Sequence, residues 1–346
     1  MYKREIELGF LEECQPWQVE SRLFPSKVGG KPAWLNLEKL PSHEQLQCKN
    51  CQKSMIFLCQ LYAPYEEDLE VSHEQFLNNF HRSLFVFICR NQECCIRNNS
   101  CNIKVLRSSM LRDNKYYPYD PPEDKPDSNF SLSKWVKLCT VCGGLAEKQC
   151  SKCKRVNYCS REHQVLDWKE GHKKECGSNL ASTRQSEVLF PEWEIITETE
   201  EFQENHINEE EELKNFKNLE LEGKTGTMSH ISESELEAHS AEEKDKTFLQ
   251  FQKRTAQNPD QVIRYKRGGR PFWIARAPLP DKIPECEHCG GDRQFEFQIM
   301  PQMLTLLKET SLDWGVLVVF TCKNSCTDKG GYREEFVFKQ DVELDI

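Results

Sequence analysis

The sequence has no long apolar run. None of its hydrophobic stretches approaches the ~18 residues that a membrane-spanning helix needs. The opening residues MYKREIELGFLEEC contain no apolar segment of the kind found in secretory signals. We therefore expect neither membrane association nor export. Cysteines in such a chain stay reduced, so they are available as metal ligands rather than as disulfides.

The sequence also lacks familiar catalytic motifs. Its two Gly-Gly pairs are not followed by the Gly-Lys-Ser/Thr end and the helix of a P-loop. After His73-Glu74, Leu77 stands where a metalloprotease motif has its second His. We therefore predict that the chain is not an enzyme.

Cysteine and glutamate are unusually placed in this chain. The 346 residues include 18 Cys, a high number for a reduced protein, and carry a formal charge of −10. The segment Glu187–Asp245 holds 19 Asp/Glu and 4 Lys/Arg, a charge of −15, so the rest of the chain is at +5. This composition predicts an acidic, largely disordered linker over residues 178–245. Within it, Leu189–Ile195 is an apolar island of the kind that docks on a folded neighbour.

The central part of the sequence has eight Cys and His residues at zinc-site spacing. The pattern is Cys-x2-Cys-x7-Cys-x2-Cys-x5-Cys-x3-His-x8-His-x3-Cys. Two-residue gaps let two sulfurs of one turn converge on one ion, and three-residue gaps place two ligands on one helix face. Eight ligands complete two tetrahedral sites without an open catalytic position. The predicted ligands are Cys139, Cys142, Cys150, Cys153, Cys159, His163, His172 and Cys176.

This pattern resembles the MYND finger, which shares the Tyr158-Cys159 step and the run from His163 to Cys176. His163 stands where many MYND fingers have Cys, an exchange that zinc tolerates. The resemblance implies two interleaved zinc ions. One is held by Cys139, Cys142, Cys159 and His163, and the other by Cys150, Cys153, His172 and Cys176.

The MYND resemblance also implies a binding surface for short, often proline-containing peptides near Gln164 and Trp168. The alternative for Trp168 is packing against the metal sites. The finger is basic, with 10 Lys/Arg and 5 Asp/Glu from Lys134 to Cys176. It lacks the interleaved aromatics of a base-stacking platform, so we do not expect direct nucleic-acid binding. Nor are the motifs of a SET domain present, which MYND-linked methyltransferases contain.

The two ends of the chain resemble each other. The element Gly29–Leu35 (GGKPAWL) matches Gly268–Ile274 (GGRPFWI). A Cys-x2-Cys pair follows the Trp by 14 residues in one end and by 13 in the other. Each pair leads to a Gln nine residues later and to an apolar run that ends in Cys. This repeat predicts one supersecondary unit used twice, with a zinc knuckle, a half-buried strand and a fully apolar strand.

Each repeat supplies four thiolates from two loop ends, which fits one more zinc ion per half. The predicted ligands are Cys48, Cys51, Cys89 and Cys94 in the first half, and Cys286, Cys289, Cys322 and Cys326 in the second. Cys94 is preferred to Cys95 because its spacing is closer to that of the second half. We expect about four zinc ions in all. We interpret the two Gly-Gly-x-Pro-x-Trp elements as structural turns. The alternative is that they are loops that bind peptides through Trp34 and Trp273.

These features predict a β-rich α+β protein. Two homologous zinc-binding halves, 1–130 and 246–346, pack into one unit. The MYND finger at 134–177 and the acidic linker at 178–245 lie between them in sequence.

The order of motifs resembles the programmed cell death protein 2 family, in its branch with a MYND finger. The shared elements include Glu7–Phe10, Ser26–Leu35 and Asp313–Gly315. The resemblance implies a dedicated chaperone of small-subunit ribosomal protein two, supplied to 40S assembly in the cytoplasm and nucleus. An acidic segment would attract such a basic client. The alternative function is a transcriptional adaptor that recruits corepressor-type partners through its finger and is linked to apoptosis or proliferation control.

Overall fold

The computed structural model of the chain describes residues 5–65, 72–177, 185–201, 246–327 and 331–342. Most of its strands form one closed antiparallel barrel, and two short strands form a hairpin in the finger. The strands are β1 Glu7–Glu12, β2 Lys27–Val28, β3 Ile56–Tyr62, β4 His81–Ile88, β5 Ile103–Met110, β6 Lys148–Gln149, β7 Asn157–Tyr158, β8 Trp193–Thr199, β9 Ile263–Tyr265, β10 Arg293–Ile299, β11 Val316–Cys322 and β12 Tyr332–Gln340.

The helices are short and lie between the strands. They are α1 His73–Asn78, α2 Arg161–Asp167, α3 Lys173–Glu175, α4 Lys246–Thr255 and α5 Gln302–Leu306, with a π-helical turn at Trp168–His172 and 3-10 turns at Ser21–Leu23, Glu44–Leu46, Gln92–Cys94 and Leu132–Lys134. None of the helices in the described residues has the length and apolarity that crossing a bilayer requires. The expected β-rich architecture is confirmed, although the closed barrel goes beyond that prediction.

The order of strands around the barrel has a two-fold correspondence. The order is β1-β8-β2-β3-β4-β5-β12-β11-β10-β9, and β9 pairs with β1 to close it. The counterparts are β1 and β8, β2 and β9, β3 and β10, β4 and β11, and β5 and β12. When each strand is exchanged with its counterpart, the circular order of the barrel stays the same. The first strand of each set therefore lies beside the second strand of the other set: β1 pairs with β9, and β8 pairs with β2. The barrel is shared by both ends of the chain.

Strands β4 and β11 are apolar on both faces because both faces are covered. In β4, Leu84 and Val86 point to the core inside the barrel, whereas Phe85 and Phe87 pack outside with Trp34. In β11, the same alternation separates the inner core from an outer apolar cluster. A strand that is buried on both faces has a continuous apolar sequence rather than an alternating one.

In each half, a glutamine at the corresponding strand position holds the Gly-Gly-x-Pro-x-Trp loop. Gln60 in β3 accepts from the main-chain N–H of Ala33 at 2.9 Å and donates to its carbonyl at 3.3 Å. Gln298 in β10 does the same with Phe272, at 2.7 and 2.9 Å. Both amides are buried, so each needs these partners. The sequence repeat therefore corresponds to a repeated loop–strand clamp.

The prediction of an acidic, largely disordered linker over residues 178–245 is wrong for residues 185–201, which include a strand of the barrel. Residues 193–199 form β8, which pairs with β1 and β2. Ile195 is buried in the core while Glu194 and Glu198 lie on the other face, so the strand alternates within a Glu-rich composition. The apolar island Leu189–Ile195 leads into this strand. The remaining predicted linker residues, 178–184 and 202–245, lie outside the described residues.

A buried ion pair joins the two ends of the chain. Arg82 of β4 and Glu296 of β10 are both fully buried, with Nη2 and Oε2 2.7 Å apart. Thr321 and Tyr265 also donate to the Glu296 carboxylate. Burial raises the pKa of Glu296, but Arg82 outweighs it and lowers the pKa to about 2. The carboxylate is therefore charged at neutral pH.

We predict that Glu296→Gln lowers the free energy of unfolding by about 3–5 kcal/mol, because it leaves the Arg82 charge buried without its counter-charge. Urea unfolding followed by circular dichroism measures the loss. Glu285→Gln is the control, since the Lys282–Glu285 pair is exposed and exposed pairs contribute about 0–1 kcal/mol. Equal small losses in both variants would contradict a structural role for the buried pair.

Candidate metal centres

The structure brings the Cys and His residues together in four groups of four. The groups are Cys48/Cys51/Cys89/Cys94, Cys139/Cys142/Cys159/His163, Cys150/Cys153/His172/Cys176 and Cys286/Cys289/Cys322/Cys326. In each group all ligand atoms lie within 4.8 Å of one another. The finger ligands fall into the interleaved sets that the MYND resemblance implied, and Cys94 rather than Cys95 is in the first-half group.

The spacing of the sulfurs fits zinc. Sulfurs that bind one tetrahedral zinc at about 2.3 Å lie about 3.8 Å apart. The Cys51–Cys89 and Cys289–Cys322 sulfurs are each 3.6 Å apart, and Cys150–Cys176 are 3.8 Å apart. Thiolate and imidazole donors in fours are the usual ligands of a structural zinc. Bound zinc would cross-link each pair of loop ends.

One local turn recurs in all four groups. In each Cys-x2-Cys turn the N–H of the residue after the second Cys donates to the carbonyl of the first Cys at 2.8–2.9 Å. That residue has a positive φ, which curls the chain so that both sulfurs point to one side. The four residues are Gln52 (φ 59°), Gly143 (φ 71°), Lys154 (φ 54°) and Gly290 (φ 66°).

In the turns of the two halves, one sulfur each favours the thiolate form that binds metal. Burial raises the pKa of Cys51, but the N–H of Lys53 and neighbouring thiols outweigh it and lower the pKa to about 7. Burial also raises the pKa of Cys286, but the N–H groups of His288 and Cys289 outweigh burial and lower this pKa to about 7. Main-chain donors thus prepare these sulfurs for a cation.

One bent helix positions the last four ligands of the finger: His163 and His172 lie within it, and Cys159 and Cys176 lie at its two ends. Ser160 caps α2 by accepting from the N–H of His163 at 3.1 Å. Gly171 has φ 148° and breaks the helix, so that His172 turns toward the second group. His163 approaches its group through Nδ1, 3.1 Å from the Cys159 sulfur, and His172 does so through Nε2.

A carboxylate that the sequence analysis missed braces the second-half group. Glu335 of β12 accepts from the Cys322 main-chain N–H at 3.0 Å, from Arg107 at 2.6 Å and from Arg293 at 3.2 Å. Arg107 also donates to the carbonyl of Cys326 at 3.1 Å. Because Arg107 belongs to β5, the first half holds the metal loops of the second. The sequence signal for this role of Glu335 is a Glu at an inward-facing position of a strand with alternating burial.

The cysteines outside the groups have other surroundings. Cys59 lies in the core, where burial raises the pKa of its thiol. The Cys95 sulfur accepts from the N–H of Asp313 at 3.3 Å and so connects the first-half loop to the second half. Cys101 accepts from the side chain of Asn50 at 2.9 Å.

The four residues expected to bind partners differ in exposure. Trp34 is fully buried, and its indole N–H donates to the carbonyl of Gly143 in the finger at 2.7 Å. Trp273 is half-buried, with its ring edge-on to Phe338. On the finger, Gln164 is half-buried and Trp168 is 38% exposed. The structure thus leaves three of the four accessible.

We predict that Cys48→Ser and Cys286→Ser each remove one of four bound zinc ions and lower the melting temperature by several degrees. Structural zinc contributes on the order of 10–16 kcal/mol per site in finger peptides, so losing one ligand weakens the barrel at that site. Native mass spectrometry gives the zinc count, and thermal unfolding the stability. Cys95→Ser is the control and should keep four zinc ions. A purified protein with only two would contradict the two sites outside the finger.

Comparison with known proteins identifies relatives along the whole chain. Family models match for "Programmed cell death protein 2, N-terminal domain" at residues 5–124, for the MYND finger at 139–176 and for the C-terminal domain of the same protein at 245–341. No solved structure matches the chain significantly.

Programmed cell death protein 2 of Mus musculus is 42% identical over 97% of this chain and 96% of its own length. Programmed cell death protein 2-like of Homo sapiens is 25% identical over 87% of this chain and 85% of its own length. A protein of Schizosaccharomyces pombe, named "Probable 20S rRNA accumulation protein 4", is 24% identical over 95% of this chain and 96% of its own length. The chain therefore belongs to the programmed cell death protein 2 family.

Proposed function

We propose that this protein is a dedicated, non-enzymatic chaperone that escorts newly made small-subunit ribosomal protein two to 40S assembly. The observation that carries the proposal is its near full-length similarity to a fission yeast protein named for 20S rRNA accumulation. The client itself is named only by the family resemblance. An escort of this kind would act in the cytoplasm, where the client is made, and in the nucleus.

The metal groups support a structural role for zinc. Each group offers four sulfur or nitrogen ligands, which complete a tetrahedral zinc and leave no position for substrate. We propose one ion per group, two in the finger and one in each half. The chain would thus use zinc to fix loop ends and not to activate water. We also propose that the two halves are homologous, given their shared strand order and glutamine clamp.

Acidic side chains on the outside of the barrel suit a basic client. Glu12 of β1 lies directly opposite Glu194 of β8, a like-charge cross-strand pair that costs stability. Burial raises the pKa of Glu194, and the negative charges of Asp124 and Glu12 raise it further. A ribosomal protein with a cationic surface would relieve this repulsion, and the acidic segment Glu187–Asp245 would strengthen its attraction.

The finger supports a second candidate function, that of a MYND-type adaptor for proline-containing peptides and corepressor-type partners. Its Trp168 is the specific observation, since the ring is 38% exposed while it also packs edge-on to His172. A groove of about 450 Å³ on α2, between Arg161 and Lys169, adds apolar surface there. We propose that the finger binds protein and not nucleic acid, because no row of stacking aromatics accompanies its basic residues.

The experiment is affinity purification of the intact chain from growing cells, with ribosomes first removed by sedimentation. We predict one dominant small-subunit ribosomal protein by mass spectrometry. The charge-reversal variant Glu12→Lys/Glu194→Lys should recover several-fold less of it, because it reverses the acidic pair that faces the basic client. Asp281→Lys, an exposed carboxylate in the second half, is the matched control.

Recovery of chromatin or corepressor proteins in place of a ribosomal protein would contradict the escort function and favour the adaptor. Trp168→Ala separates the two, since it should abolish adaptor binding at the finger and leave client recovery through the acidic pair unchanged.

A further inference from the structure

In the first half, a turn of the finger covers the Gly-Gly-x-Pro-x-Trp loop. Gly143 lies in the turn between Cys139 and Gly144, and its carbonyl accepts the indole N–H of Trp34 at 2.7 Å. A Cβ on Gly143 would lie 2.8 Å from the Cβ of Lys31 and 3.2 Å from the Cδ of Pro32. Only glycine fits so close to the loop, and its φ of 71° favours glycine as well. Trp34 is fully buried between this turn and the barrel.

The second half holds the corresponding main-chain N–H groups through a different residue of β12. The main-chain N–H groups of Leu35 and Asn36 donate to the Tyr332 hydroxyl at 3.1 and 3.2 Å. Their counterparts Ile274 and Ala275 donate to the side-chain oxygen of Gln340 at 3.0 and 3.2 Å. The glutamine clamps of β3 and β10 also correspond. The shared clamp places Trp34 and Trp273 on loops that follow corresponding Gly-Gly pairs and precede corresponding strands.

No described residue covers the second loop as the finger covers the first. Trp273 is half-buried where Trp34 is fully buried, and within the described residues its indole N–H has no hydrogen-bond acceptor. Pro271 beside it is also half-buried, and Arg270, the counterpart of Lys31, is exposed. The face thus keeps the indole donor, the proline and a long basic side chain at the positions that meet the finger turn in the first half.

We infer that the Trp273 face is a docking site for a glycine-containing turn of the ribosomal-protein client, whose main-chain carbonyl accepts the Trp273 N–H. This inference rests on the proposed function and adds the place and the chemistry of binding. A glycine is required because a Cβ there would meet Arg270 and Pro271 as it would meet Lys31 and Pro32. The finger turn of a second copy does not suit the site, since its Gly143 already binds its own Trp34.

The test uses the full chain, labelled with 5-fluorotryptophan, which gives one fluorine signal for each of its 7 Trp. Trp273→Phe identifies the Trp273 signal by its loss. Small-subunit ribosomal protein two, produced together with the chain, is the probe. We expect the Trp273 signal to shift on binding. The signal of Trp135, which is 46% exposed at the start of the finger segment, should stay in place and is the control.

Affinity is the second readout. Trp273→Phe keeps a ring but removes the donor and should weaken client binding about fivefold, the effect of losing one hydrogen bond. Trp273→Ala should weaken it further, and Trp135→Phe should not change it. The zinc count and the unfolding midpoint of each variant show that it is folded.

The outcomes separate this inference from the proposed function. Client binding that leaves the Trp273 signal and the affinity of Trp273→Phe unchanged overturns the docking site and leaves the escort function standing. A Trp273 shift that depends on protein concentration, without client, assigns the face to a second copy and also overturns the inference. Absence of any client binding to the unmodified chain overturns the escort function, and the docking site with it.

Discussion

The closure of the barrel by its exchanged first strands is the constraint on which the rest of the structure depends. Strand β1 lies between β8 and β9, and β8 lies between β1 and β2, so each end of the chain completes the sheet of the other. An unpaired strand edge leaves a row of main-chain donors and acceptors without partners. The exchange removes these edges. The inner core is built by residues from both ends of the chain, among them Val86, Ile195 and Phe297.

The metal groups and buried charges follow from this closure. Glu335 and Arg107 come from opposite ends of the chain and meet at the second-half metal loops, while Cys95 joins the first-half loop to Asp313. Arg82 and Glu296 meet inside the barrel in the same way. Zinc would fix loops that are already braced by the other half. The finger in turn packs on Trp34, so it is seated on the barrel at the first loop, and its helix α2 carries the exposed Trp168.

Spacing along the sequence was enough to identify the Cys and His ligands, because a Cys-x2-Cys turn carries its geometry within five residues, whereas the division of the finger ligands into two sets came from the MYND resemblance. The repeat also indicated two equivalent units with alternating and fully apolar strands. The barrel could not be predicted, since pairing of β1 with β8 and β9 depends on residues far apart in the chain. Strand β8 was missed because its Glu residues lie on the outer face and resemble a linker in composition. The contact of Trp34 with Gly143 joins the barrel to the finger. The local sequence of neither segment indicates this contact.

The most direct test of the shared barrel is to divide the chain between Gly177 and Ser178. Residues 1–177 and 178–346 are produced separately and together, and amide hydrogen exchange is measured by mass spectrometry. The shared barrel predicts that, outside the finger, neither piece alone protects its strands. The two pieces together should associate and protect β1 to β5 and β8 to β12 as one unit. Protected strands in either piece alone would show that a half folds independently, and would contradict the account.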